Sequence, residues 1–378
     1  MRLSPEQLLR KVVSIDSVFP KEATLAHFIS LYLKSNGFKV GLQRIEKGRF
    51  NILAEKGEGE AALLFYAHLD TVPPYGSWKS NPFKPKVIGD RLYGLGCCDM
   101  KGGLCAIISA ATSTEGRVKL LLCSDEENIS KGAWKAVGAK RNWFKGVRIA
   151  VSGEPGASSK GIGGTDMVTV GRRGRAVFNI DVLGESSHGA QPKKGLSAID
   201  QASRLITSLG TLQMMRHKIG KESLFVRRFE SASTSVSVPD KAHLELDMHT
   251  VPPTTAASAR KRIITWANKL KKEGRVDPRV KIKVSLKLRQ TPYAMPYCDD
   301  LEDKPVRKMI GLIGKGNLAP RLNYGSSVAD DNVLSAQLGI PVIAIGPRGG
   351  RIHSSDEWVS LSSYRKLIAI YVKMIESF

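Results

Sequence analysis

A chain of 378 residues is longer than a single hydrophobic core usually serves, so two domains are expected. Hydrophobic residues make up 42% and charged residues 25%, ordinary globular usage that excludes general disorder. The longest apolar runs, such as residues 120–123, are far too short to span a bilayer, and the opening MRLSPEQLLRKVV lacks the apolar stretch of a signal peptide. A cytoplasmic protein with no membrane partner is therefore expected.

Charge is the outlier. Against 35 Asp and Glu stand 58 Lys and Arg, a net charge of +23, which suits nucleic acid, an acidic protein partner or an anionic substrate. The excess is spread along the chain, and there is no zinc finger, RRM-type aromatic signature or concentrated basic helix. Nucleic acid is thus not the expected partner; a basic nucleic-acid-binding protein with a vestigial site is the competing reading from a different class. The five cysteines (97, 98, 105, 123 and 298) are an odd set without a CxxC pair, so neither a disulfide scaffold nor a thiolate zinc site is expected.

In chain order, residues 5–15 and 24–35 carry apolar side chains at helical spacing, and the second run stops at Asn36-Gly37. Residues 51–54, 61–67, 118–123 and 147–151 are short apolar runs of the kind that buried strands make, with helices expected at 101–113 and 131–139. Strand alternating with helix points to an α/β domain. Near Gly171 the pattern changes. Residues 175–183 and 242–249 alternate with period two, and 198–209 and 254–272 have helical spacing, which predicts a small α+β domain of roughly 110 residues. After Leu288 the first character returns, with helices expected at 304–312 and 362–376 and a strand at 341–345. The second domain is therefore expected to be inserted in the first.

Five segments lead from a strand-like run or a turn to a residue suited to metal binding. LLFYAHLD ends in His68 and Asp70, GLGCCDMKGG presents Asp99, LLLCSDEE ends in Glu126 and Glu127, IAVSGEPG carries Glu154, and His353 follows the GPRGG loop. In open α/β sheets ligands gather outside the carboxyl ends of strands, so separate strands can deliver these side chains to one crevice. Any one of them alone is more often a helix cap or a solvated turn. Together, two His and three carboxylates suit zinc, or cobalt or manganese in its place, and two ions rather than one.

HLDTVPP, GLG-x-x-DMKGG, DEE, GEP and a late His before a D-E-x-V pair resemble the di-zinc family of acetylornithine deacetylases, succinyl-diaminopimelate desuccinylases, aminoacylases and related carboxypeptidases. GRRG at 171–174 and SSHGAQP followed by G-x-S-A-I match as well. The resemblance runs in order from His68 to about Trp358. It implies an α/β fold: a discontinuous catalytic domain with a central mixed sheet flanked by helices (1–171 and 288–378), plus an inserted α+β lid and dimerisation domain (172–287). It implies that His68, Asp99 and Glu154 bind one Zn²⁺ and that Asp99, Glu127 and His353 bind the other, with Asp99 bridging. Asp70 would accept the ring N–H of His68, Glu126 would be the general base, and His188 would help hold the oxyanion, reaching into the partner subunit of a homodimer. The reaction implied is hydrolysis of the amide of an N-acyl amino acid, with a carboxypeptidase or dipeptidase as the alternative.

The sequence departs from that family in the lid. Val236 and His249 stand where the family usually carries an Asn and an Arg that contact the substrate carboxylate. Arg172, Arg173, Arg227, Arg228 or His249 itself could supply that contact, the alternative being that these arginines are solvated lid surface. The +23 charge also suits a substrate presented by an acidic carrier protein, as some family members are thought to handle. Cys97 and Cys98 are expected to serve as small residues in a tight turn.

Overall fold

The runs Leu63–His68, Val118–Cys123 and Ile149–Ser152 are buried along their whole length. Strands covered on both faces need such continuous apolar sequence. In the computed structural model, which describes residues 3–158, 161–233, 235–314 and 320–378, they form the centre of one mixed sheet. Leu63–His68 pairs in parallel with both of the others, and Ile149–Ser152 pairs in parallel with Val342–Ala344. Arg49–Lys56 joins Val118–Cys123 antiparallel, and Lys39–Glu46 extends the sheet beyond it. This is the α/β architecture expected from sequence.

The chain divides into two compact units: Met1–Arg172 with Cys298–Gly325 and Ala329–Phe378, and Arg173–Tyr297 with Ser326–Val328. In the first unit the helix Lys101–Ser113 packs on Leu63–His68 and on the closing helix Leu361–Glu376. Gly103 lets that helix approach, since a Cβ there would meet the Gly153 carbonyl oxygen at 2.1 Å. A small second sheet joins Lys86–Ile88, Arg91–Tyr93, Trp358–Ser360 and Gly349–Gly350, and ties the C-terminal segment to the turn before Lys101. Its strands are too short to leave a sequence pattern.

The second unit is a four-stranded antiparallel sheet in the order Ser223–Glu230, Lys241–Thr250, Gly174–Leu183, Lys281–Leu286. The helices Ala198–Ser208 and Ala256–Lys272 bury Leu205, Ile263 and Trp266 against Phe178, Leu244 and Leu246. Thr255 caps the second helix by accepting the N–H of Ser258 at 3.1 Å. Ser223–Glu230 and Lys281–Leu286 escaped the period-two reading because both are edge strands, largely exposed and rich in Lys and Arg. Among the described residues no helix is long and apolar enough to cross a membrane.

Candidate metal centre

The parallel strands end together, which brings the candidate residues to one place. His68 closes Leu63–His68, while Glu126, Glu127 and Glu154 follow its two neighbours at their carboxyl ends. Asp99 enters on the turn before the helix Lys101–Ser113, and His353 on the loop between Gly349–Gly350 and Trp358–Ser360. All belong to the first unit. His68 Nε2 lies 3.4 Å from Asp99 Oδ1 and 3.3 Å from Glu154 Oε1. His353 Nε2 lies 3.3 Å from Asp99 Oδ2 and 3.1 Å from Glu127 Oε1. The two oxygens of Asp99 thus face two different histidines. Ligand atoms of His68, Asp99 and Glu154 fall within 4.8 Å of one another, as do those of Asp99, Glu127 and His353, and those of His68, Glu126 and Glu127.

Carboxylates held this close repel one another, and protons, imidazolium groups or bound cations must offset their charge. Burial, with the Asp99 charge adding to it, pushes Glu154 up to about 7. Burial and then the Glu154 charge push Glu126 well above the usual carboxylate range. Burial also works against the charged form of Asp99, but contacts with the rings of His353 and His68 outweigh it and hold Asp99 low. The contacts with Asp99 and Glu127 raise His353 to about 10. Glu154 Oε1 is buried and faces His68 Nε2 at 3.3 Å without a well-aligned hydrogen bond among the described residues. Two imidazoles and three carboxylates, one with a buried oxygen lacking a well-aligned donor, fit divalent metal ions with N/O ligand preference.

Asp70 does something other than expected. The Nδ1 of His68 meets the backbone carbonyl of Asp70 at 2.9 Å, whereas the carboxylate is 3.8 Å away. The carboxylate instead accepts the backbone N–H groups of Asp125 (3.0 Å), Glu126 (3.3 Å) and Glu127 (2.9 Å). Left-handed backbone at Asp125 (φ 83°) lets three successive N–H groups converge there. Burial raises Asp70 to about 7, opposed by the charge of His68. Behind the same loop, Arg49 donates to Glu22 at 2.6 and 2.9 Å and to Asp125 at 2.9 Å, all three groups being buried. Glu357, part of the D-E-x-V pair, is buried and accepts N–H groups from the Asp99 turn. Sequence reasoning gave no role to Arg49, Glu22 or Glu357, because their partners lie far away in the chain.

The remaining candidates are not in these clusters. Arg172 is buried in an ion pair with Asp331 at 2.6 Å, so its guanidinium is already engaged by a carboxylate. Arg173, His188 and His249 belong to the second unit. Arg173 donates to Ser223 Oγ at 3.4 Å, and the exposed His188 accepts the N–H of Ala190 at 3.1 Å. His249 sits opposite Arg175, and burial and the nearby arginines lower its pKa. Cys97 and Cys98 are buried in the tight turn, outside the ligand clusters; a Cβ at Gly349 would meet Cys98 Sγ at 2.3 Å.

Fold and site together define a metal-dependent hydrolase of amide bonds. The chain belongs to peptidase family M20/M25/M40, whose model matches residues 64–377. It is 26% identical to a succinyl-diaminopimelate desuccinylase of Wolbachia pipientis subsp. Culex pipiens, over 100% of this chain and 94% of that one. A tripeptidase from Staphylococcus aureus shares the fold with a TM-score of 0.78 at 18% identity, covering 99% of this chain and 98% of that one. A dinuclear metal-binding M20 peptidase from Bacillus subtilis does so with a TM-score of 0.72 at 14% identity, covering 99% and 98%.

Proposed function

We propose that this protein is a two-zinc hydrolase that frees an amino acid from its N-acyl amide, with an N-succinyl or N-acetyl diamino acid as the substrate class. The observation that carries the reading is Asp99, whose Oδ1 and Oδ2 face His68 and His353. His68, Asp99 and Glu154 would hold one ion, and Asp99, Glu127 and His353 the other; cobalt or manganese could take the place of zinc. When bound, such ions polarise the scissile carbonyl and make water acidic enough to serve as a nucleophile near neutral pH.

The two glutamates divide the remaining work. Glu127 Oε1 is engaged with His353 at 3.1 Å, while Glu126 stands outside both proposed ligand sets. Glu126 takes the proton from the attacking water and delivers it to the nitrogen of the leaving amine. The products are a carboxylate and a free amine. The oxyanion role of His188, a cytoplasmic location and a homodimer are part of the same proposal.

Rates on N-succinyl, N-acetyl and dipeptide substrates, with and without chelator, test the reading. Preference for dipeptides would favour the peptidase alternative. A second reading, an acidic carrier protein bearing the substrate, draws on the +23 charge and on a cavity of about 340 Å³ in the first unit. That cavity is lined by Lys79, Lys86, Arg91 and Arg351 against the single carboxylate of Asp356.

A further inference from the structure

Glu357 is buried, stands four residues after His353, and has no part in the mechanism above. Its Oε2 accepts the N–H of Gly96 at 2.7 Å, and its Oε1 accepts those of Cys98 and Asp99 at 2.8 and 3.0 Å. Its backbone carbonyl accepts the N–H of Gly94 at 3.1 Å. One residue thus holds residues 94–99 by four hydrogen bonds, three of them to a carboxylate and so of the stronger, charge-assisted kind. Gly96 is left-handed (φ 71°), and a Cβ on it would meet Thr71 Cγ2 at 2.4 Å. The loop is therefore closed to a side chain where its N–H reaches Glu357.

The path from Glu357 back to His353 is equally constrained. His353 (φ 54°) and Asp356 (φ 57°) are both left-handed, a conformation that such residues hold only when their surroundings over-determine it. On the other side, Trp358–Ser360 pairs with Arg91–Tyr93, the strand that leads into residues 94–99. Asp99 has only two side-chain torsions, so the placement of its backbone decides where its two oxygens can lie. Asp99 and His353 come from segments far apart in the chain, and Glu357 is bonded to one and covalently near the other.

Resting on the two-metal reading, we propose that Glu357 is the positioning residue that fixes Asp99 relative to His353, so that Asp99 keeps one oxygen toward each histidine. Its loss is expected to act on metal binding before anything else. Partners of this kind, one layer out from the ligands, typically change metal affinity about 10–100-fold.

Glu357→Gln tests this, because an amide offers one acceptor oxygen where the carboxylate offers two. The full chain is stripped of metal and titrated with Co²⁺, following calorimetry and visible absorption. Wild type is expected to bind two ions. E357Q is expected to bind at least one of them about 10–100-fold more weakly, with a shifted absorption band. Asp299→Asn is the control: this buried carboxylate accepts the N–H of Val342, and its loss should lower the unfolding midpoint but leave both affinities and the spectrum unchanged. Should E357Q fail to fold, Glu357→Asp keeps both acceptor oxygens and the charge but draws them back by one methylene, and is expected to show the same weakening. Unchanged Co²⁺ affinity and spectrum in E357Q, or an equal loss in D299N, would overturn the proposal. A wild-type protein that bound no Co²⁺ would overturn the two-metal reading itself, a result distinct from either.

Discussion

Asp70 Oδ2 accepts the backbone N–H of Glu127 at 2.9 Å, and through this bond the end of one strand sets the position of a residue at the end of the next. Oδ1 takes the two preceding N–H groups, so the loop that carries both Glu126 and Glu127 rests on a single carboxylate. Asp70→Asn places an NH₂ group against these donors. It is expected to lower kcat about 10–100-fold with little change in KM, because on the proposed mechanism this loop supplies the base Glu126 and the metal ligand Glu127. Steady-state kinetics measure this, and a change confined to KM would show that the loop shapes substrate binding instead.

Glu126→Gln leaves every candidate ligand in place. Both metals should remain by elemental analysis, while turnover falls about 10²–10⁴-fold, the usual contribution of a general base. Loss of one metal in this variant would mean that Glu126 and Glu127 have exchanged roles.

Arg49 lies between two buried carboxylates, Glu22 and Asp125. Removing it takes the guanidinium away from both buried carboxylates, and breaking a buried pair in this way typically costs about 3–5 kcal/mol. Arg49→Ala is expected to lower unfolding stability by that order in a denaturant titration. A loss below about 1 kcal/mol would mean that the carboxylates are hydrated, as exposed ion pairs are.

The carrier reading makes a prediction about salt. A field that steers an acidic partner speeds association about 10- to 1000-fold and fades as ionic strength rises. Measured kcat/KM for a carrier-linked substrate should therefore fall steeply between low and high salt, while that for a small N-acyl amino acid changes little. Equal, shallow dependence for both would remove the charge from the account of function.

The central strands were legible because burial on both faces demands apolar runs, and the sheet's parallel order put the residues after them side by side. His68, Glu127 and Glu154 could be grouped for that reason, whereas Asp99 and His353, which enter on a turn and on a loop of the small second sheet, were picked out by their motifs alone. What stayed hidden is what holds them. A carboxylate that collects backbone N–H groups, as Asp70 and Glu357 do, leaves no periodicity, since its partners are defined by backbone position and not by side chain. The exposed edge strands of the second unit were missed for a related reason: Lys and Arg on a solvated strand look the same as those on a loop.

The central claim is that two metal ions held on Asp99 drive amide hydrolysis. Its most direct test removes the metal completely, measures hydrolysis of an N-succinyl diamino acid, and then adds zinc back in steps. The account predicts no turnover in the stripped protein and recovery that is complete at two ions per chain. Full activity after metal removal would contradict it.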